Sequence, residues 1–157
     1  MPGTKMPEPD YKHDLPVSER VQVTYDIPRD LWGQSRMAAV ARSVSLTKLY
    51  GLALETKLER WTSETLDLAD PISGKAWTKA AGESIERPAS PPNFALVYTS
   101  SSRKGEAIRV TLRLDPDLHA DWEAAVWYQI HRFGFPSAAF EEALREVVEA
   151  PSDALTP

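Results

Sequence analysis

One ordered pattern occurs twice in this chain, and the duplication limits its fold more than any other feature. In the first copy Val21, Val23, Tyr25 and Ile27 alternate with Gln22, Thr24 and Asp26; in the second, Ile108, Val110, Leu112 and Leu114 alternate with Arg109, Thr111 and Arg113. Strict period-two alternation predicts a strand with one buried and one solvated face. Each run ends at a proline, Pro28 or Pro116, with an acidic residue and a leucine close behind. Proline in a first helical turn forfeits no intrahelical hydrogen bond, so a helix is expected to start at each. That helix ends near Ser43 in the first copy. In the second it runs about one turn longer, to Gly134. A second helix follows a Ser45 cap, with Leu46, Leu49, Tyr50, Ala53, Leu54 and Leu58 along one stripe. Its counterpart restarts at Pro136-Ser137, with Phe140, Ala143, Leu144, Val147 and Val148. The order strand–helix–helix therefore repeats over 20–61 and 107–150.

A lone strand with two short helices cannot satisfy its own backbone groups or cover its apolar face. Some 42 residues, the length of the first copy, is also close to the size at which a domain needs a partner. Each copy must pair its strand with another. The result is a two-stranded antiparallel ribbon with four helices behind one face and the alternating polar residues on the other. Such a ribbon has the right dimensions for the DNA major groove.

On these residues the chain resembles the ribbon-helix-helix (Arc/MetJ-type) DNA-binding family. RVTLRLDPDL (109–118) with the Gly134 turn carries the likeness in one copy, and VQVTYDIPRDL (21–31) with SLTKLYGLAL (45–54) in the other. Two departures stand out: Ser43 occupies a position where the family usually has glycine, and Pro136 lies near the second cap. The resemblance implies a mainly α fold around one ribbon. It also implies base-reading roles for Gln22, Thr24, Asp26, Arg109, Thr111 and Arg113. Arginine can pair with guanine, glutamine with adenine, and threonine with a base edge or a thymine methyl. Phosphate contacts are implied at the amino ends of the second helices, by Ser45, Leu46, Thr47 and Lys48 and by Ser137 and Ala138, with Arg20 beside them.

Charge favours pairing the two different strands within one chain. With Thr24 opposite Thr111, Asp26 faces Arg109 and Gln22 faces Arg113. Pairing the second strand with its own copy would instead set Arg109 against Arg113 twice. Opposed charges stabilise a cross-strand pair by ~0.2–1 kcal/mol, and like charges destabilise it comparably. The expectation is an intramolecular pseudo-dimer that reads an asymmetric site, a homodimer being the alternative. Asp26 is a poor groove residue, and orienting Arg109 is as good a role for it as touching a base.

The remaining sequence divides by proline and glycine. Residues 1–17 read as a flexible arm, 18–61 and 107–150 as the two repeats, 62–106 as a linker and 151–157 as a tail. The linker is loop-like apart from the run Phe94–Tyr98, which suits a strand or a docking segment. As a coil it would span roughly 35–40 Å. Net charge is −5, which disfavours a general nucleic-acid coat, but residues 18–61 sum to +2 and 103–150 to −3. The absence of cysteine excludes disulfides and thiolate metal sites and points to a reducing cytoplasm, on the nucleoid. No stretch is long and apolar enough for a membrane span, and no secretory leader is read at the start.

Trp32, Trp61, Trp122, Trp127 and Tyr128 are expected in the core or at a subunit contact. The stripe Glu141, Glu142, Arg145, Glu146 and Glu149 reads as a solvated helix face, or as a dock for a basic protein. His119 and His131 read as surface or packing residues. No nucleophile, base and orienting group come together, so neither an enzyme nor a bound cofactor or metal is expected. The expected function is a transcriptional repressor, or a protein marking a plasmid or phage partition or transfer site. The competing expectation is an antitoxin or accessory subunit whose linker and acidic helices wrap a protein partner.

Overall fold

The computed structural model describes residues 19–97 and 107–150. The arm over 1–17, Tyr98 and the tail over 151–157 lie outside the described residues. The architecture is mixed: the described residues form five helices and two separate two-stranded antiparallel sheets.

The first alternating run forms β1 (Val21–Pro28) and the second forms β4 (Ala107–Leu114). They pair with each other, antiparallel, with Thr24 opposite Thr111, Gln22 opposite Arg113 and Asp26 opposite Arg109. This is the register that opposed charges favour. Tyr25, Ile27, Val110, Leu112 and Leu114 are buried on the inner face, where apolar area removed from water is worth ~25 cal/mol per Å².

Behind the ribbon lie α1 (Arg29–Ala41) and α2 (Leu46–Ser63) from the first half, and α3 (Pro116–Trp127) and α5 (Pro136–Glu149) from the second. Two of the packings recur when the halves are exchanged. Helix α5 packs on β1 as α2 packs on β4, and α1 meets α5 as α3 meets α2. The two second helices meet at the centre, where Leu49, Ala53 and Leu54 are buried together with Phe140, Ala143 and Leu144. Trp61 and Trp122 stack with centroids 5.3 Å apart, and Phe140 stacks on Tyr25 at 4.7 Å.

Caps explain the helix boundaries. Asp115 accepts from the N–H groups of Asp117 and Leu118 at the start of α3, and Ser45 Oγ accepts from Lys48 N–H at the start of α2. Helix α1 ends in a left-handed turn at Ser43, φ 57°, with Ser43 N–H donating to Val40 O and Val44 N–H to Ala39 O. This is the Schellman bond pattern, built on a serine where glycine costs least.

Two expectations are corrected. The segment 62–106 is not loop throughout: β2 (Leu66–Ala69) and β3 (Ala76–Lys79) form a hairpin. Asp70 Oδ1 accepts from Ile72 and Ser73 N–H in its turn, and Gly74 takes φ 78°. The hairpin docks on the second half, with Ala69 N–H donating to Tyr128 O and Trp77 set edge-on to Tyr128 at 4.6 Å. The Phe94–Tyr98 run gives a single 3₁₀ turn at Phe94–Leu96, not a strand. Second, the long helix expected before Gly134 is broken into α3 and a short α4 (Ile130–Phe133). At the break, Gln129 N–H donates to Val126 O and its side-chain amide to Ala125 O. The tighter winding buries Trp127, Tyr128 and Gln129 in succession.

The acidic stripe is also not simply solvated. Glu142 and Glu146 hold Lys57 Nζ at 2.7 and 2.6 Å, with Lys57 buried between α2 and α5; Glu146 also pairs with Arg60 and Glu142 with Arg132. Lys79 is buried too, donating to Thr62 O at the carboxyl end of α2 and to the neighbouring Ala80 O.

Two stability measurements check this account. Ser43→Gly should raise the urea-unfolding free energy by about 0.5–1 kcal/mol by relieving the left-handed serine. The double change E142Q/E146Q should lower it by about 2–3 kcal/mol, because it strands a buried ammonium, whereas K57M should cost less, since Glu142 and Glu146 are part-exposed and keep Arg132 and Arg60.

Candidate nucleic-acid interface

The ribbon presents one continuous polar face to solvent. Gln22, Thr24, Arg109, Thr111 and Arg113 are exposed, and Asp26 is half-buried. All six side chains come from facing pairs on the same side of the pleat. Asp26 N–H points away from β4, toward Ser137 Oγ at 3.0 Å, so Asp26 and Arg109 form a non-hydrogen-bonded pair. Alternation makes Thr24–Thr111 and Gln22–Arg113 the same kind, in which opposed side chains stand closest. The face is therefore a compact patch.

Arg109 Nε donates to Asp26 Oδ1 at 3.1 Å, with the arginine side chain 73% exposed and the carboxylate 21%. That hydrogen bond and the carboxylate's charge raise the guanidinium's pKa further above its ordinary value. The bond takes Nε and leaves the two terminal nitrogens of Arg109 without a partner among the described residues. Asp26 thus orients Arg109 while the outer fork stays available. Solvent screens an exposed pair of this kind, so its value is positional rather than a matter of stability.

The two second helices present unequal amino ends. In α2, Ser45 Oγ takes the Lys48 N–H, and the Leu46 and Thr47 N–H groups have no helical acceptor; Thr47 is exposed and Lys48 half-buried. In α5, Pro136 has no N–H, Ala138 N–H donates to Phe135 O, and the Ser137 hydroxyl is committed to the β1 edge. Only the Ser137 N–H remains of the expected donors there. Arg20 lies half-buried just before β1.

The Ser137–Asp26 bond spans 111 positions in sequence, and no local pattern announces it. It closes an outward strand donor that water or another strand would otherwise take. Within the stripe, Glu142 and Glu146 face Lys57, Arg60 and Arg132, and Glu141 pairs with Arg145 one turn along. No family model matches the chain, and neither a curated protein nor a solved structure matches it.

Removing the Ser137 hydroxyl should cost ~1–2 kcal/mol by leaving the Asp26 N–H unsatisfied. Amide hydrogen exchange is the check: S137A should speed exchange at Asp26 selectively, with Val110 and Leu112, which alternate with it as hydrogen-bonded ribbon positions, little changed.

Proposed function

We propose that the chain is a tandem ribbon-helix-helix protein, folded as one pseudo-dimer, that binds double-stranded DNA sequence-specifically by laying the β1–β4 ribbon in the major groove. Its role is that of a transcriptional repressor, or of a protein marking a partition or transfer site. One observation carries the reading: the inner face of the ribbon is buried and its outer face is an exposed set of Gln22, Thr24, Arg109, Thr111 and Arg113. Two arginines, a glutamine and two threonines are the residue types that pair with base edges. No enzymatic step or cofactor enters this role.

The two strands differ in sequence, so the module reads an asymmetric site. Arg109 and Arg113 lie on β4 alone, which biases guanine contacts to that side. Phosphate contact falls mainly on α2, through the Leu46 and Thr47 N–H groups and the Lys48 charge. Overall acidity is compatible with this, because the charge that matters lies on one face. The competing reading, a protein-binding module, draws on the Phe94 run and the acidic helices. Phe94 is set against Trp127 at 5.5 Å, and Glu142 and Glu146 are paired within the chain. Those observations favour the ribbon.

The test is selection of bound duplexes from a random pool, followed by anisotropy titrations with variants. R109A, R113A and Q22A should each lose ~1–3 kcal/mol on the selected site and relax base preference, while K48A should weaken all sequences evenly and lower the salt slope. Unchanged affinity in all three ribbon variants would overturn the reading.

A further inference from the structure

Of the six outward residues on the ribbon, only Asp26 carries a negative charge. On a face laid against DNA a carboxylate is out of place. Phosphates repel it, and so do the base acceptors that line the major groove. Counted from the central Thr24–Thr111 pair, Asp26 stands where β4 carries Arg113. The two ends of the ribbon therefore differ: Arg109 faces a carboxylate, and Arg113 faces the neutral amide of Gln22.

The carboxylate is anchored. Asp26 N–H donates to Ser137 Oγ at 3.0 Å, which ties this part of β1 to the start of α5. Its side chain is 21% exposed, against 73% for Arg109, and Oδ1 accepts from Arg109 Nε at 3.1 Å. An arginine without such a hold has many rotamers and can turn from a base edge to a phosphate. Held at Nε, Arg109 presents only the edge formed by its two terminal nitrogens, which have no partner among the described residues. Those nitrogens are parallel donors. Guanine meets them with two acceptors, O6 and N7, whereas adenine puts its N6 amino donor in the place of one acceptor. In the groove the pair loses water, and weaker screening tightens it. Escape to a phosphate is penalised too, because it would leave the carboxylate unpaired beside the DNA.

We propose that Asp26 is the residue that converts Arg109 from an affinity contact into a specificity contact, fixing guanine at one base pair by penalising the other poses of the arginine. Asp26 touches no base in this role; it is a positioning residue that acts through Arg109. The role rests on the DNA-binding reading and adds to it the identity of one base.

The experiment titrates the full-length parent, D26A, R109A and R113A by anisotropy on the selected duplex and on copies with single base-pair exchanges. The base pair whose preference R109A erases is assigned to Arg109, and R113A assigns the other. Arg109's base should be guanine, and exchange to adenine should weaken the parent about tenfold or more. In D26A that ratio should fall below about threefold, because the adenine duplex binds D26A more tightly than it binds the parent. The ratio at Arg113's base pair should stay as it is. A residue with a merely structural role would instead weaken matched and mismatched duplexes alike. That outcome would overturn the proposal, as would an unchanged ratio in D26A or a base other than guanine opposite Arg109. Should D26A fail to fold, D26N, which keeps the shape and removes the charge, decides by the same ratio. Failure of the DNA-binding reading looks different: no duplex is enriched, or R109A and R113A bind the selected site as the parent does.

Discussion

The pairing of residues 21–28 with 107–114 is the interaction on which everything else in this molecule depends. Neither strand has another partner among the described residues, and an unpaired strand of this length would expose its backbone donors and its apolar face together. Pairing creates the inner surface on which Tyr25, Ile27, Val110, Leu112 and Leu114 are buried. It brings α2 onto β4 and α5 onto β1, so each half completes the other's core. The same act assembles the six outward side chains into one patch.

Both strands and the four principal helices were legible from residues alone. Alternation at 21–27 and 108–114 gave the strands, the prolines at 28 and 116 the turns into helix, and the charges of Asp26 and Arg109 the register. These signals are local or depend on one charge pair. The hairpin was not legible, because four-residue strands around Asp70–Gly74 are too short for periodicity to separate from loop. Its stability comes from Tyr128 and Trp127 in the other half, contacts no local window contains. The break at Gln129 is not legible for a related reason: tertiary burial of consecutive large residues overrides a sequence that reads as helix. Glu142 and Glu146 read as part of a solvated face because the polar side of their helix is ordinary until Lys57 of α2 meets it.

The candidate site was legible to a similar depth. Residue types and facing were readable on the ribbon. The unequal helix ends were only half readable, since Pro136 signals a missing donor but nothing in sequence links Ser137 to Asp26. This inequality has a consequence for the proposed role. A module with two arginines on one strand and its better phosphate donors on α2 has no reason to favour a palindrome. Duplication followed by divergence within one chain would convert a symmetric reader into an asymmetric one.

The chain's lack of cysteine makes the ribbon open to a direct measurement. Thr24 and Thr111 face each other in a non-hydrogen-bonded pair, where β-carbons approach closely enough for a disulfide. Oxidation of T24C/T111C, followed by intact-mass measurement and non-reducing electrophoresis, should give one chain closed on itself, two hydrogens lighter and monomeric. Covalent dimers as the dominant product, or two cysteines left reduced, would contradict a ribbon made within a single chain.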